Sequence, residues 1–172
     1  MTILIRPANK TEANTIAPLI YDAIGDIANR LTGEQQKVAI LHQLAYLVTQ
    51  TNSRHSYLNT YVATQQQRIV GIVVLYDGKE GKSLDAELQQ WLASKNAPTA
   101  IIDIEAHEDE YYIDTICVDE TTRGLGIGTQ LLIFAEQTAR DKGYKKLSLN
   151  VELEKQAARK LYERMGFVVT EP

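Results

Sequence analysis

The chain has 172 residues, 44% of them hydrophobic, and a formal net charge of −4, enough for one domain with a sizeable core. The acidic balance, with a pI near 5.4, and the lack of a basic run interleaved with aromatics argue against nucleic acid or an anionic membrane as partner. One cysteine, Cys117, excludes an internal disulfide and fits a reducing, cytoplasmic setting. No apolar run reaches the ~18 residues of a membrane span, and the opening MTILIRPANK lacks the apolar core of a signal peptide.

In chain order, Ile3 to Arg6 alternate weakly and stop at Pro7, which predicts a first strand. Ile16, Leu19, Ile20, Ala23, Ile24 and Ile27 then fall at helical spacing, and Pro18 requires that helix to start near Asn14 or to kink. Thr32, with Gln35 three residues on, predicts the cap of a second helix striped by Leu41, Leu44, Ala45 and Val48. Tyr57–Thr64 and Arg68–Tyr76 predict two strands around a short turn. The near-continuous apolar run RIVGIVVLY marks the second as central. Residues 77–110 are acidic and mixed and form an excursion, with a short helix around Leu84–Ala93. Tyr111–Val118 is a strand by residue type, Gly126–Lys142 a helix stopped by Gly143, and Lys145–Val151 a strand. Gln156–Met165 completes the helices, and Phe167–Thr170 predicts a last strand. Strand, helix, strand from Tyr111 to Val151 is a right-handed βαβ unit with parallel strands. The whole, 1–172, reads as a single α+β domain.

Between that strand and helix stands DETTRGLGIGTQLL, with three glycines in five residues. Glycine inside a helix costs roughly 1 kcal/mol relative to alanine, so its use at a helix start calls for a reason. The spacing G-x-G-x-G of Gly124, Gly126 and Gly128 fails the dinucleotide pattern, and Thr129 follows Gly128 without the lysine of a P-loop. The physical logic remains. The first amides of a helix lack internal partners and carry the positive end of its dipole, and glycines let an anion reach bare backbone. The loop Arg123, Gly124, Leu125, Gly126, Ile127, Gly128 and Thr129 is therefore a candidate diphosphate seat. A tight turn with glycines for close packing accounts for the local stretch equally well.

The stretch resembles the acetyl-CoA signature of the GCN5-related N-acetyltransferases, Q/R-x-x-G-x-G/A, met by Arg123, Gly126 and Gly128. A second block, ARKLYERMGF from Ala158 to Phe167, is similar to the family's A-x-x-L-Y-x-x-x-G-F segment. The resemblance covers Tyr111–Phe167 and implies α/β/α layers. These hold a mixed, mostly antiparallel sheet, two splayed parallel central strands, Tyr111–Val118 and Lys145–Val151, and helices on both faces. It implies that the pantetheine arm of acetyl-CoA pairs with backbone at Ile116, Cys117 and Val118, and that the pyrophosphate sits on Arg123–Thr129. Asn150 faces the arm or caps its strand. Two positions depart from the family. Lys155 stands where many members carry asparagine, and the chain ends at Pro172, soon after Phe167, where most members add a strand.

The family reaction is direct attack of an amine on the acetyl thioester. Tyr162, on the inward face of the last helix with Ala158 and Met165, is the expected proton donor to the departing thiolate. The alternative for it is a core tyrosine bonded to a carbonyl. Asp114 shares strand parity with Tyr112, Ile116 and Val118 and is the candidate base, through water, with a salt-bridged strand carboxylate as the alternative. Glu105, Glu108 and Glu110 form an acidic rim attractive to a cationic amine, or a solvated loop. His42, His55 and His107 match no metal spacing, Cys117 reads as packing rather than nucleophile, and Trp91 as local core, lid or dimer contact. The expectation is an N-acetyltransferase that uses acetyl-CoA on a small amine or a protein amino group, with no nucleic acid or membrane partner and no metal. A homodimer is the oligomeric state to test. A non-catalytic acyl-CoA-binding sensor or interaction module, and a nucleotide-binding regulator, are the competing classes.

Overall fold

A computed structural model of the chain describes residues 2–99, 106–151 and 155–170. Five strands lie in the order β1 (Ile3–Pro7), β2 (Thr60–Gln65), β3 (Arg68–Asp77), β4 (Tyr111–Val118) and β5 (Leu147–Leu149). The first four are antiparallel neighbours, and β5 runs parallel to β4. Helices α1 (Ala13–Ile24), α2 (Ile27–Thr32) and α3 (Lys37–Thr49) precede β2, α4 (Gly81–Ser94) follows β3, α5 (Ile127–Asp141) joins β4 to β5, and α6 (Gln156–Arg164) comes last.

The sheet divides two cores. On one face Ile16, Ile20, Ile40 and Leu44 of α1 and α3 pack against Val62, Ile72 and Cys117. On the other, Ile127, Leu131 and Ala135 of α5 pack against Val73, Leu75 and Ile113. β3 is buried from Val70 to Tyr76, as its unbroken apolar run requires of a strand covered on both faces. Leu31 of α2 and Leu88 and Leu92 of α4 make a smaller third cluster.

Several boundaries differ from the sequence expectation. The first helical stripe does not run on to Ile27: Gly25, at φ +57°, ends α1 with its amide on Tyr21 O at 2.9 Å. Pro18 sits within α1, whose start at Ala13 is close to the early start that the proline requires. Thr32 does not cap α3, although its hydroxyl accepts the Glu34 amide at 3.3 Å. It is the last residue of α2, and its hydroxyl donates to Ala28 O at 2.7 Å, while α3 begins only at Lys37. Tyr57–Asn59 is a 3-10 turn leading into β2. The strand expected at 145–151 is shortened to Leu147–Leu149. Phe167–Thr170 is not a strand: the Phe167 amide turns back to Tyr162 O at 3.0 Å, beyond Gly166 at φ +99°, and closes α6.

Candidate active site

The site starts from an imperfection in β4. Val74 pairs with Thr115 and Leu75 with Ile113, which leaves Asp114 opposite nothing. Such a bulge moves every later side chain to the other face. Tyr111 and Ile113 face α5, and so do Ile116 and Val118, whereas Cys117 packs with α1 and α3. The expected parity of Asp114 with Ile116 and Val118 is thereby corrected, because Asp114 is itself the extra residue.

β5 leaves β4 at the same place. Their pairing covers Tyr111↔Leu147, Tyr112↔Ser148 and Ile113↔Leu149 and then stops. Beyond it β4 is paired with β3 alone, through Ile116, Cys117 and Val118. The Asp119 amide bonds Val70 O at 2.8 Å, so by ladder alternation Cys117 directs its main-chain groups at β3, and Ile116 and Val118 direct theirs at the open side. Arg123 Nε donates to the Val118 carbonyl at 3.2 Å. This is the splay expected of the two parallel strands, and among the described residues no strand pairs with Ile116 and Val118 on that side.

The glycine turn closes the open end. After a 3-10 turn at Glu120–Thr122, Gly124 takes φ +85° and Gly126 takes φ +80°, the latter as the N-cap of α5. Both conformations favour glycine. Among the described residues, and apart from the adjoining ones in the chain, no atom lies within 4 Å of where a Cβ on either would stand, so packing does not explain them. The first bond of α5 runs from Gln130 N to Gly126 O at 3.1 Å, which leaves the amides of Ile127, Gly128 and Thr129 without helical partners. Ile127 is anchored in the core and Leu125 is 56% exposed. At Gly128 a Cβ would make only ordinary contacts, with Leu161 Cδ2 at 3.5 Å and Val118 Cγ2 at 3.8 Å. That contact brings α6 beside the turn. An anionic diphosphate fits this arrangement: bare amides, a helix dipole, Arg123 at the rim, and no side chain in the way.

Tyr162 of α6 is partly buried against the α5-side core, with Phe167 edge-on at 6.0 Å. Burial raises its hydroxyl pKa above the ordinary tyrosine value. The hydroxyl makes no hydrogen bond among the described residues, so the carbonyl-bonded core tyrosine is not what forms. Asn150 lies one residue past β5 and is exposed. The Lys155 ammonium donates to Ala23 O at the end of α1, at 3.1 Å. Burial pushes the Cys117 thiol up to about 11, which keeps it a neutral thiol rather than a nucleophile.

Asp114 is enclosed. Its Oδ2 accepts from Arg54 Nε at 2.9 Å and from the Tyr76 hydroxyl at 2.6 Å. Its Oδ1 accepts from Thr115 Oγ1 at 2.8 Å and lies 3.2 Å from His55 Nε2. Burial alone would raise this carboxyl, but Arg54, His55 and the hydrogen bonds hold it far below the usual carboxylate range. A carboxylate so committed is the salt-bridged strand residue, not a ready proton acceptor. Arg54, His55 and Tyr76 carry no signal in the sequence, because two of them stand about 60 positions before Asp114 or its neighbour Thr115 and only the folded chain makes them neighbours. Of the acidic rim, Glu105 lies outside the described residues, and Glu110 Oε1 accepts the His107 amide at 3.1 Å within its own turn. Glu108 is exposed. No metal-holding group of His, Cys, Asp or Glu occurs among the described residues, and none of their helices is long and apolar enough to cross a membrane.

Residues 27–167 match the model of the acetyltransferase (GNAT) family. A 67-residue segment is 42% identical to the uncharacterized N-acetyltransferase YycN of Bacillus subtilis (strain 168), covering 39% of this chain and 43% of that protein; the match thus spans under half of that relative. A solved acetyltransferase is 32% identical with a TM-score of 0.80 over 97% of this chain and 90% of its own. An N-acetyltransferase from Staphylococcus aureus Mu50 is 25% identical with a TM-score of 0.81 over 98% and 92%. An aminoglycoside N-acetyltransferase solved with CoA shares the fold at 16% identity and a TM-score of 0.63, over 99% and 91%. Family model, neighbours, splayed strands and glycine turn agree: the chain belongs to the acetyltransferase (GNAT) family.

Proposed function

We propose that the protein transfers the acetyl group of acetyl-CoA to a primary amine of a small molecule or protein by direct attack, as a cytoplasmic enzyme. The observation that carries the reading is the open edge of Ile116 and Val118 beside the glycine turn that opens α5. A strand edge supplies pairing for an extended arm, and the turn supplies amides for its diphosphate. In the step itself the amine nitrogen attacks the thioester carbonyl carbon and the C–S bond breaks. The oxyanion is held by a main-chain amide of β4. The departing thiolate takes the proton of the Tyr162 hydroxyl, kept neutral by burial. The amine loses its proton to water, and the Tyr162 phenolate takes one back from water, so that the protons balance over a turnover. Asp114 acts through position, fixing the bulge at which the strands part.

A panel of amines incubated with acetyl-CoA tests the reading by mass spectrometry. The expected result is a gain of one acetyl group on an acceptor, lost on omission of enzyme. Tight CoA binding with no acetylated product across small amines and peptide N-termini would instead favour a non-catalytic acyl-CoA sensor. Stabilisation by ATP and not by CoA would overturn both.

A further inference from the structure

The open strand edge and the glycine turn meet at Val118. By the ladder alternation of β4 its carbonyl points away from β3, to the open side. Arg123 Nε stands there and donates to it at 3.2 Å. The chain between the two residues is pinned. The Asp119 amide bonds β3, the Thr122 amide and hydroxyl both bond the Asp119 carbonyl, at 2.9 and 3.0 Å, and Arg68 pairs with the Asp119 carboxylate at 3.2 Å. Thr122 is buried and Arg123 is exposed. Arg54, Arg68 and Arg140 each meet a carboxylate. Arg123 meets none among the described residues and rests on a neutral carbonyl. It also adjoins the glycine turn, since Gly124 follows it at φ +85°. A Cβ on Gly128, in the first turn of α5, would stand 3.8 Å from Val118 Cγ2. The strand edge, the guanidinium and the bare amides of the helix start are therefore neighbours.

We infer that Arg123 is a positioning residue that couples the two parts of the donor slot. With no anion on the turn it holds the Val118 carbonyl; a diphosphate on the turn draws the guanidinium off and frees that carbonyl to accept an amide of the arm. The inference rests on the acetyl-CoA reading above. A guanidinium bonds phosphate oxygens more strongly than a neutral carbonyl, by charge and by its planar fork, so the exchange runs towards the anion. Arg123 bonds Val118 on the side where a paired strand would place its own N–H, so arm and guanidinium compete for that carbonyl. Anion and arm then favour each other's binding, by the same factor in both directions. A thioester of the bare arm must displace Arg123 with nothing to receive it. The slot is thereby selective for CoA thioesters, beyond the contacts that the diphosphate itself makes.

Calorimetry on the full chain, with the two parts of the donor as separate probes, tests the coupling. The probes are S-acetylpantetheine, the neutral arm, and pyrophosphate, the anion. Saturating pyrophosphate should tighten S-acetylpantetheine binding about threefold to tenfold, the worth of one hydrogen bond. Arg123→Ala should remove that dependence, bind the bare arm more tightly than wild type by a similar factor, and bind acetyl-CoA more weakly. The opposite signs are the signature. A residue that only contacts the anion, or only stiffens the turn, would weaken acetyl-CoA binding without strengthening that of the arm. Arm affinity unmoved by pyrophosphate in wild type, arm affinity not raised by Arg123→Ala, or no arm binding to either protein would each overturn the coupling. Acetyl-CoA binding to wild type, measured in parallel, keeps the two failures apart: its presence leaves the acetyl-CoA reading standing when the coupling fails, and its absence removes that reading.

Discussion

The two halves of β4 make opposite use of one strand. From Tyr111 to Ile113 it pairs on both sides and its side chains are buried. From Ile116 to Val118 it pairs on one side, and those two side chains are only partly buried. Between them stands Asp114, unpaired in the ladder and gripped by four side chains. The first half is paired structure and the second leaves an open edge. What divides them is a buried ion pair reaching in from a segment distant in sequence. A bulge costs ladder hydrogen bonds, and it persists because the surroundings over-determine it.

That division can be broken most severely at Arg54. Arg54→Met leaves the Asp114 carboxylate buried and unpaired, and should lower stability by about 3–5 kcal/mol at neutral pH, read by urea denaturation. The double variant with Asp114→Asn should recover most of the loss. The pH dependence has a definite sign. Asp114 is a stronger acid folded than unfolded, so its contribution is complete above its unfolded pKa of about 4 and fades as pH falls below it. The gap between wild type and Arg54→Met should therefore narrow in acid; a constant gap would mean that the pair does not hold the bulge.

Tyr162→Phe tests the chemical half without touching the ladder. Turnover should fall roughly tenfold to a thousandfold, within the range of a positioned general acid, with CoA affinity little changed. Unchanged turnover with an authentic acceptor would remove the role. The glycine turn sharpens the comparison further. Gly126→Ala forces a side chain into φ +80° at a cost of about 1–2 kcal/mol and places a methyl in the open space of the turn, so CoA affinity should drop about tenfold in calorimetry. Gly128→Ala meets only ordinary contacts at 3.5 and 3.8 Å, and its loss should be smaller. Cys117→Ala should change turnover least, within about twofold, because a thiol raised to about 11 is not a nucleophile at neutral pH.

The donor side was legible in the sequence because it is local. Strand β4, the glycine turn and α5 are contiguous, and the positive φ of Gly124 and Gly126 is a property of single residues. The spacing of Arg123, Gly126 and Gly128, with the second block around Tyr162, pointed to the family for the same reason. Boundaries were less legible. Thr32 has the composition of a cap, but its hydroxyl found Ala28 O first, and local side-chain bonds to the backbone compete in this way. Phe167–Thr170 has strand residues and no strand, because Gly166 and the Phe167 amide complete the end of α6 instead.

What the sequence by itself determined is the family and the local parts of the candidate donor site: a strand, a bare helix start and a tyrosine on one face of α6 follow from residue type and short-range spacing. What only the tertiary structure decided is where the strands part and what holds them apart. Arg54, His55, Tyr76 and Asp114 are ordinary residues at unremarkable positions. They become a cluster because one extra residue in β4 shifts the pleat, and because α3, β3 and β4 bring their ends together around a charge that cannot be buried alone.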